Sequence, residues 1–410
     1  MKKKITLTLS ALMLAELSFG AGFALYEYSG RSTAMGGAVM ANDAEPASLA
    51  TNPSLITELE GTQMQVGVTA VKADATTTVN NSTSSLKNEI WLLPNLYVTH
   101  KWSDEVSFGI GAFSRYGLGG TYKDASNWFG SNLAYQVKLE TFSFTLTIAI
   151  KANDQVSVAM GLEAMTIDFT QHSMYGTPLT DQNKYEIHGT GVAWGGNFSL
   201  TYKPEWAEKW SIGAMYRTKI KQQLNGGVDA SGTFPAALNI HSAPAEGAIT
   251  LPDSVSTGIS FRATDDWVME AGIVGTFWSS YDQIIIQYKD ATSDNPFIYP
   301  QKKYKDTYRL NFGTEYQLNP KWAIRAGYVF DKSPINKGAM DTLVPVDDRH
   351  LVSAGFGYKT ETWSTDFAYT HIFARDLTGH SYPNKSGTSY PMKYTNGSSD
   401  MIALTVGYKF

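Results

Sequence analysis

The 410-residue chain contains no cysteine, which removes disulfide scaffolds, cysteine-ligated zinc, iron–sulfur clusters and thiol nucleophiles together. Charge is scarce as well: Asp, Glu, Lys and Arg make up 17% of residues, against about 25% in soluble domains. The formal net charge of −5 gives no support for a nucleic-acid partner, which needs a basic face. Beyond the first twenty residues no stretch of about 18 residues is predominantly apolar, so no membrane-spanning helix is expected. Disorder is excluded too, because 43% hydrophobic residues with little charge is the reverse of a disordered composition. What the chain has in quantity is aromatic side chains, 13%, and glycine, 36 residues. Its surplus apolar surface must face something other than water.

Lys2, Lys3 and Lys4 precede an apolar stretch over 5–15, and Ser18-Phe19-Gly20 places small residues where signal peptidase cuts. Residues 1–20 are therefore read as a signal peptide, despite Glu16, and the mature chain as exported. Beyond it the dominant signal is alternation. Phe142, Phe144, Leu146, Ile148 and Ile150 form one face of a segment whose other face is Ser143, Thr145, Thr147 and Ala149. Ile402, Leu404, Val406, Tyr408 and Phe410 repeat the pattern at the C-terminus. A period of two with one apolar face is a β-strand, not a helix. These segments reach ten residues or more, close to the 9–11 that cross a bilayer at a tilt. Aromatics also bracket tight turns: Tyr202 and Trp210, Phe261 and Trp267, Tyr316 and Trp322, Tyr358 and Trp363. Such pairs are the girdle of a membrane interface, whereas in a soluble sandwich they would be an aggregation hazard.

The segmentation predicts an all-β fold, a fourteen-stranded antiparallel transmembrane β-barrel over residues 61–410. The strands fall near 61–73, 88–102, 105–116, 135–152, 155–171, 185–203, 209–224, 247–263, 267–288, 302–318, 321–331, 348–359, 362–374 and 399–410. Short turns alternate with long polar loops near 74–87, 117–134, 172–184, 225–246, 289–301, 332–347 and 375–397. That asymmetry belongs to bacterial outer-membrane barrels. Residues 21–60 do not alternate. Small residues there mix with Leu25, Tyr26, Met35, Leu49, Leu55 and Ile56, so the segment is read as a hatch of short helices inside the lumen, in preference to a disordered tail.

Ala21-Gly22-Phe23, Ala41-Asn42-Asp43-Ala44 and Asn52-Pro53-Ser54-Leu55-Ile56 resemble the hatch of the FadL/TodX family of outer-membrane transporters of long-chain fatty acids and hydrocarbons. Ser54 departs from that family's Asn-Pro-Ala by one hydroxyl. The resemblance continues through Trp278-Ser279-Ser280-Tyr281, Tyr304-Lys305-Asp306-Thr307-Tyr308-Arg309, and Phe330-Asp331-Lys332-Ser333-Pro334. It implies passive uptake of a hydrophobic small molecule, in whose place detergent also binds, with no cofactor. The implied path runs from an external groove to an internal pocket, and out sideways through a gap made by a kinked third strand. Ala21, Gly22, Phe23, Asn52, Pro53 and Ser54 are the implied hatch and gating residues. Outer-membrane lipid is the implied surroundings, and the terminal Phe410 the residue read by barrel-assembly machinery.

The residues themselves leave choices open. Tyr116, Gly117, Gly119 and Gly120 fit a wall defect, since glycine weakens ladder pairing, but equally an ordinary loop. Met165, Ile167 and Phe169 fall in the polar register of their strand, either turned inward to line a dry tunnel or set beyond a bulge. Met174, Leu179, Phe234, Leu238 and Ile240 make the outer loops apolar, as a collecting groove or as loop-to-loop packing. Alternation places Arg325, Arg309, Arg217 and Lys101 toward the lumen. Lys305 and Arg325 are the candidates for holding a carboxylate, yet Thr166-Ile167-Asp168-Phe169 stands where the resemblance implies an arginine. A neutral aromatic or aliphatic hydrocarbon therefore stays open as the alternative substrate. The remaining rivals are a lipid hydrolase, a general porin and an adhesin barrel. His188, His350, His371 and His380 lack a nucleophile motif, and no His/carboxylate spacing indicates a metal.

Overall fold

The computed structural model describes residues 22–176, 183–281, 285–290, 297–298, 302–345, 347–383 and 387–410. The leader, Ala21 and Leu179 lie outside the described residues. Within them the wall is a closed antiparallel barrel of fourteen strands. In chain order these are β1 Thr62–Val79, β2 Ile90–Lys101, β3 Val106–Phe113 with Gly117–Thr121, β4 Gln136–Lys151 and β5 Val156–Met174. Next come β6 Lys184–Tyr202, β7 Trp210–Arg217 with Ile220–Ser231, β8 Ala243–Leu251 with Ser254–Thr264, and β9 Trp267–Thr276 with Ile285–Tyr288. The wall ends with β10 Thr307–Asn319, β11 Trp322–Asp331, β12 Arg349–Lys359, β13 Trp363–Ala374 with Leu377–His380, and β14 Pro391–Lys409. Closure joins β1 to β14, from Gln63 opposite Lys409 to Val79 opposite Met392. Joining the first strand to the last removes the two terminal edges that an open sheet would present to lipid.

Each strand buries one alternate set and presents the other to lipid. Val66, Ile110, Leu146, Met160, Trp194, Phe198, Ile259, Phe312, Ile324 and Leu404 are exposed on that outer face. The aromatic pairs at the short turns meet across the ladder rather than within one hairpin. Trp210 lies 4.7 Å from Phe261, Trp322 4.8 Å from Tyr358, and Trp363 4.6 Å from Tyr408, by ring centroids. Each Trp reaches the residue opposite it on a neighbouring strand, so the pairs merge into one belt on the side of the short turns, the periplasmic side.

Several segments expected as loops are strand. Within 74–87, Asp74–Val79 continues β1, and Ser82–Ser85 folds back on it, with Thr76 opposite Ser85. β7 runs to Ser231 and β8 begins at Ala243, shortening the 225–246 loop from both sides. β14 begins at Pro391 rather than 399. Polar strand residues hid these extensions. Outside the membrane both strand faces can be wet, so the apolar alternation fades while the ladder persists.

Candidate functional site

Residues 22–59 lie inside the barrel, largely buried, as α1 Gly30–Ala34, α2 Ser48–Thr51 and a 3-10 helix, Pro53–Glu58. The Ser29 side chain caps α1 by accepting from Ser32 N, and Pro53 starts the 3-10 helix where its missing N–H costs nothing. Glycines on the inner wall let this backbone come close. A Cβ at Gly213 would sit 1.9 Å from the Met40 carbonyl, and one at Gly327 would sit 2.3 Å from Gly36 N. Polar wall residues then take up the segment's backbone groups. Glu270 accepts from Met40 N at 2.5 Å and Ala41 N at 3.0 Å, and Arg217 donates to Ala50 O at 2.9 Å. Arg31 reaches Glu315 at 2.9 Å, and Glu315 also takes Arg325 at 2.5 Å.

Asn52 and Ser54 are fully buried knots in this packing. The Asn52 amide donates to Met40 O at 2.6 Å and to Thr201 Oγ1 at 2.9 Å. Ser54 Oγ lies 2.7 Å from both Asn52 Oδ1 and Thr201 Oγ1, so its extra hydroxyl is satisfied rather than stranded.

The first residues of the segment pair with the wall itself. β3 breaks between Phe113 and Gly117. Phe113 faces Ser143 but Gly117 faces Glu140, so four steps on β3 match three on β4, a one-residue bulge. Beyond it Gly117–Thr121 pairs with β4 but not with β2. Its inner partner is the N-terminal segment: Gly117 N donates to Phe23 O and Leu25 N to Arg115 O, both at 2.8 Å. All five residues of Gly117–Thr121 are buried, unlike the alternating strands, because the segment has left the wall and is covered on both faces. On the other side, Ile90 to Asn95 of β2 pair with β1 alone. The wall is thus unpaired between the contacts Leu96–Ala112 below and Leu86–Tyr122 above. Pro94 sits on that free stretch, and a proline inside a strand is tolerated where a ladder partner is missing. It is the sequence signal that would have marked the discontinuity from the β2 side.

Behind the bulge is a cavity of about 60 Å³ lined by Leu25, Tyr26, Tyr28, Arg115, Tyr116, Met215 and Arg217. That is room for a few waters, not for an alkyl chain. Phe23 packs beside it on the lining residue Tyr116, with its ring 5.9 Å from that one, 4.7 Å from Trp278 and 5.2 Å from Tyr281. These rings open onto a large apolar cluster filling the extracellular half of the lumen, with Leu118, Trp128, Leu139, Leu224, Ile249 and Tyr304 among its members. Met165, Ile167 and Phe169 belong to it. β5 keeps one unbroken register against both neighbours, so these three point inward without any bulge.

At the cavity wall two cations share one anion. Glu163, with no exposed surface, takes Arg115 Nη1 at 3.0 Å on both oxygens and Arg217 Nη1 at 3.1 Å. Ser143 donates to it at 2.7 Å. The Arg217 guanidinium also lies over the Phe113 ring, 5.5 Å from its centroid. The group carries one surplus positive charge inside the barrel. Neither Arg115 nor Glu163 stands out in the sequence, because only closure of β3 onto β5 and β7 brings them together.

The other candidates are scattered. Met174 is buried at the outer end of β5, and Phe234 packs its ring against Tyr185 at 6.0 Å. Leu238 is half-buried in a 3-10 turn, and Ile240 packs on the apolar cluster. Lys305 is exposed and precedes β10, with its backbone N–H bonded to Pro334 O. Arg325 is committed to Glu315 and, at 2.7 Å, to Asp366. Lys101 sits at the periplasmic rim, where its hydrogen bond to Glu60 at 2.6 Å holds that carboxyl below its ordinary range.

A closed outer-membrane barrel with an interrupted third strand and its own N-terminal segment folded into the lumen is the architecture of a transport barrel, not of an open pore. Residues 11–410 match the family described as outer membrane protein transport protein (OMPP1/FadL/TodX), and the chain belongs to it. It is 25% identical over 394 residues to a long-chain fatty acid transport protein of Salmonella typhi, covering 87% of this chain and 88% of that one. A Pseudomonas aeruginosa FadL homologue superposes with a TM-score of 0.85 at 18% identity, covering 95% and 100% of the two chains. The Ralstonia pickettii toluene transporter TbuX gives 0.70 at 18% identity, covering 95% and 99%. The chain is a FadL/TodX-type transport protein of the bacterial outer membrane.

Proposed function

We propose that this barrel takes up hydrophobic small molecules passively, and that long-chain fatty acids are its main substrate. The apolar cluster supplies a dry route for an alkyl chain, and an apolar lining favours such a ligand over water and sugars. The carrying observation for a carboxylate is the Arg115–Glu163–Arg217 group, whose surplus positive charge faces the cavity beside Phe23. A charge-assisted hydrogen bond from either guanidinium to a fatty carboxylate is worth about 1.5–3 kcal/mol. The N-terminal segment acts as hatch and gate. Its residues 23–25 complete the sheet at the bulge, so their withdrawal enlarges the cavity and frees the unpaired stretch beside β2 as a lateral exit into the membrane. Gly117, Gly119 and Gly120 lend that inner strand its lack of bulk. Phe234, Leu238, Ile240 and Met174 shape the extracellular entry. Phe410, exposed at the end of β14 with its N–H on Thr62 O, is the mark for barrel assembly.

Uptake of labelled oleate and toluene into proteoliposomes tests this. Arg115→Met leaves Glu163 paired one-to-one with Arg217 and so removes only the surplus charge. Oleate uptake is expected to fall about 10–100-fold with toluene uptake unchanged. Equal loss of both would take the carboxylate role away from this group, and toluene uptake with no oleate uptake in the unaltered protein would assign the barrel to neutral hydrocarbons. Passage of hydrophilic sugars at porin-like rates would overturn the gated reading.

A further inference from the structure

We propose that Glu186, His188 and Asp229 form a binding site for a zinc-class divalent cation on the outer face of the barrel, at its extracellular end. Glu186 and His188 are two residues apart on β6 and share its outward face, since Tyr185 and Ile187 are buried inward. Asp229 of β7 stands directly opposite Glu186 in the ladder. Like charges directly opposite on neighbouring strands destabilise a sheet, and neither carboxylate has a Lys or Arg ion-pair partner among the described residues. Each instead faces His188 Nδ1 at 3.6 Å. That separation is too long for a hydrogen bond, and Nδ1 is buried with no hydrogen-bond partner. A cation resolves both problems. With metal–ligand bonds of about 2.0–2.1 Å, tetrahedral ligand atoms lie about 3.4 Å apart, and the three ligand atoms here all fall within 4.8 Å of one another. His172, opposite Glu186 on β5, stands 3.6 Å from the other Glu186 oxygen, likewise beyond hydrogen-bond reach.

The ligand set selects the ion. One imidazole with two carboxylates suits zinc and its neighbours, whereas calcium and magnesium prefer oxygen alone. The site also clears the hydrocarbon. On the outer face of β6 the last exposed apolar residue is Val192, and His188 lies four residues further, about 13 Å along the strand. The ion would therefore tie β6 and β7 together through its ligands, where the wall stands free above the membrane.

The test is zinc titration of untagged full-length protein in detergent, in competition with a chromophoric chelator. One zinc per chain is expected, with binding weakened at least about tenfold by His188→Ala or Asp229→Asn. Heat-modifiable migration in gels confirms that each variant is a folded barrel. X-ray absorption at the zinc edge should show nitrogen and oxygen ligands. No zinc at micromolar free metal, unaltered binding in His188→Ala, or equal displacement by calcium would each overturn the proposal.

Discussion

Replacing Phe23 by alanine removes the ring that Trp278, Tyr281 and Tyr116 enclose, in a side chain only 1% exposed. The hole cannot collapse easily. Tyr116 is held by its hydroxyl on Pro252 O at 2.7 Å, and Tyr281 by the Tyr304 ring at 5.2 Å. A buried Phe→Ala change of this kind costs about 3–5 kcal/mol. The cost falls on residues 22–25 and not on the wall, because the fourteen-strand ladder does not pass through Phe23. Docked and undocked forms of the N-terminus therefore shift by at least about 100-fold toward undocked. What then holds residues 23–25 in register is the pair of backbone bonds to Arg115 O and from Gly117 N, together with the burial of Ala24 and Leu25. Planar-bilayer recordings should show a raised ionic leak, and a protease should cut near the N-terminus of Phe23→Ala but not of the unaltered protein. The barrel's heat-modifiable migration should not change. A variant as tight and as protease-resistant as the parent would refute the claim that these aromatic contacts hold the gate shut.

Gly213→Ala places a Cβ 1.9 Å from the Met40 carbonyl, an overpacking worth about 1–3 kcal/mol; the expected result is a displaced segment, seen as faster proteolysis over 38–54 with the wall intact. Ser54→Ala removes the hydroxyl shared with Asn52 and Thr201 and should cost about 1 kcal/mol, whereas Asn52→Ala, which strands the Met40 carbonyl, should cost about 1–3 kcal/mol. Denaturant unfolding of detergent-solubilised protein ranks the two, and the reverse order would contradict the hydrogen-bond assignment. Trp363→Ala loses the ring pair with Tyr408 at 4.6 Å, about 0.5–1.5 kcal/mol beyond its area, and should lower the temperature at which the barrel unfolds in gels.

The strand faces were legible because alternation is local: once Phe142 and Phe144 point to lipid, Ser143 and Thr145 must point inward. The turn aromatics were legible for the same reason, although their partners lie on other strands than the hairpin suggests. Inward-turned Met165, Ile167 and Phe169 were visible as a phase, but whether they line a tunnel or follow a bulge required the unbroken β5 register. The break at Tyr116 was visible as glycines, not as a pairing with Phe23, and Pro94 was a signal left unread. Lys305, by contrast, precedes its strand and is exposed.

The amino-acid sequence by itself determined the strand count, the lipid-facing set and a non-alternating N-terminal segment, since each depends on neighbours within a few residues. Tertiary structure alone decided which inward residues meet. Barrel closure and strand stagger set that, and neither is written in any single strand. So Arg115 finds Glu163 and Arg217, Glu186 and His188 find Asp229, and Gly117–Thr121 exchanges its place beside β2 for the chain's own N-terminus. The first of these makes a positively charged pocket, the second a candidate ion site, and the third a stretch of wall unpaired with β2 and lined by residues 23–25.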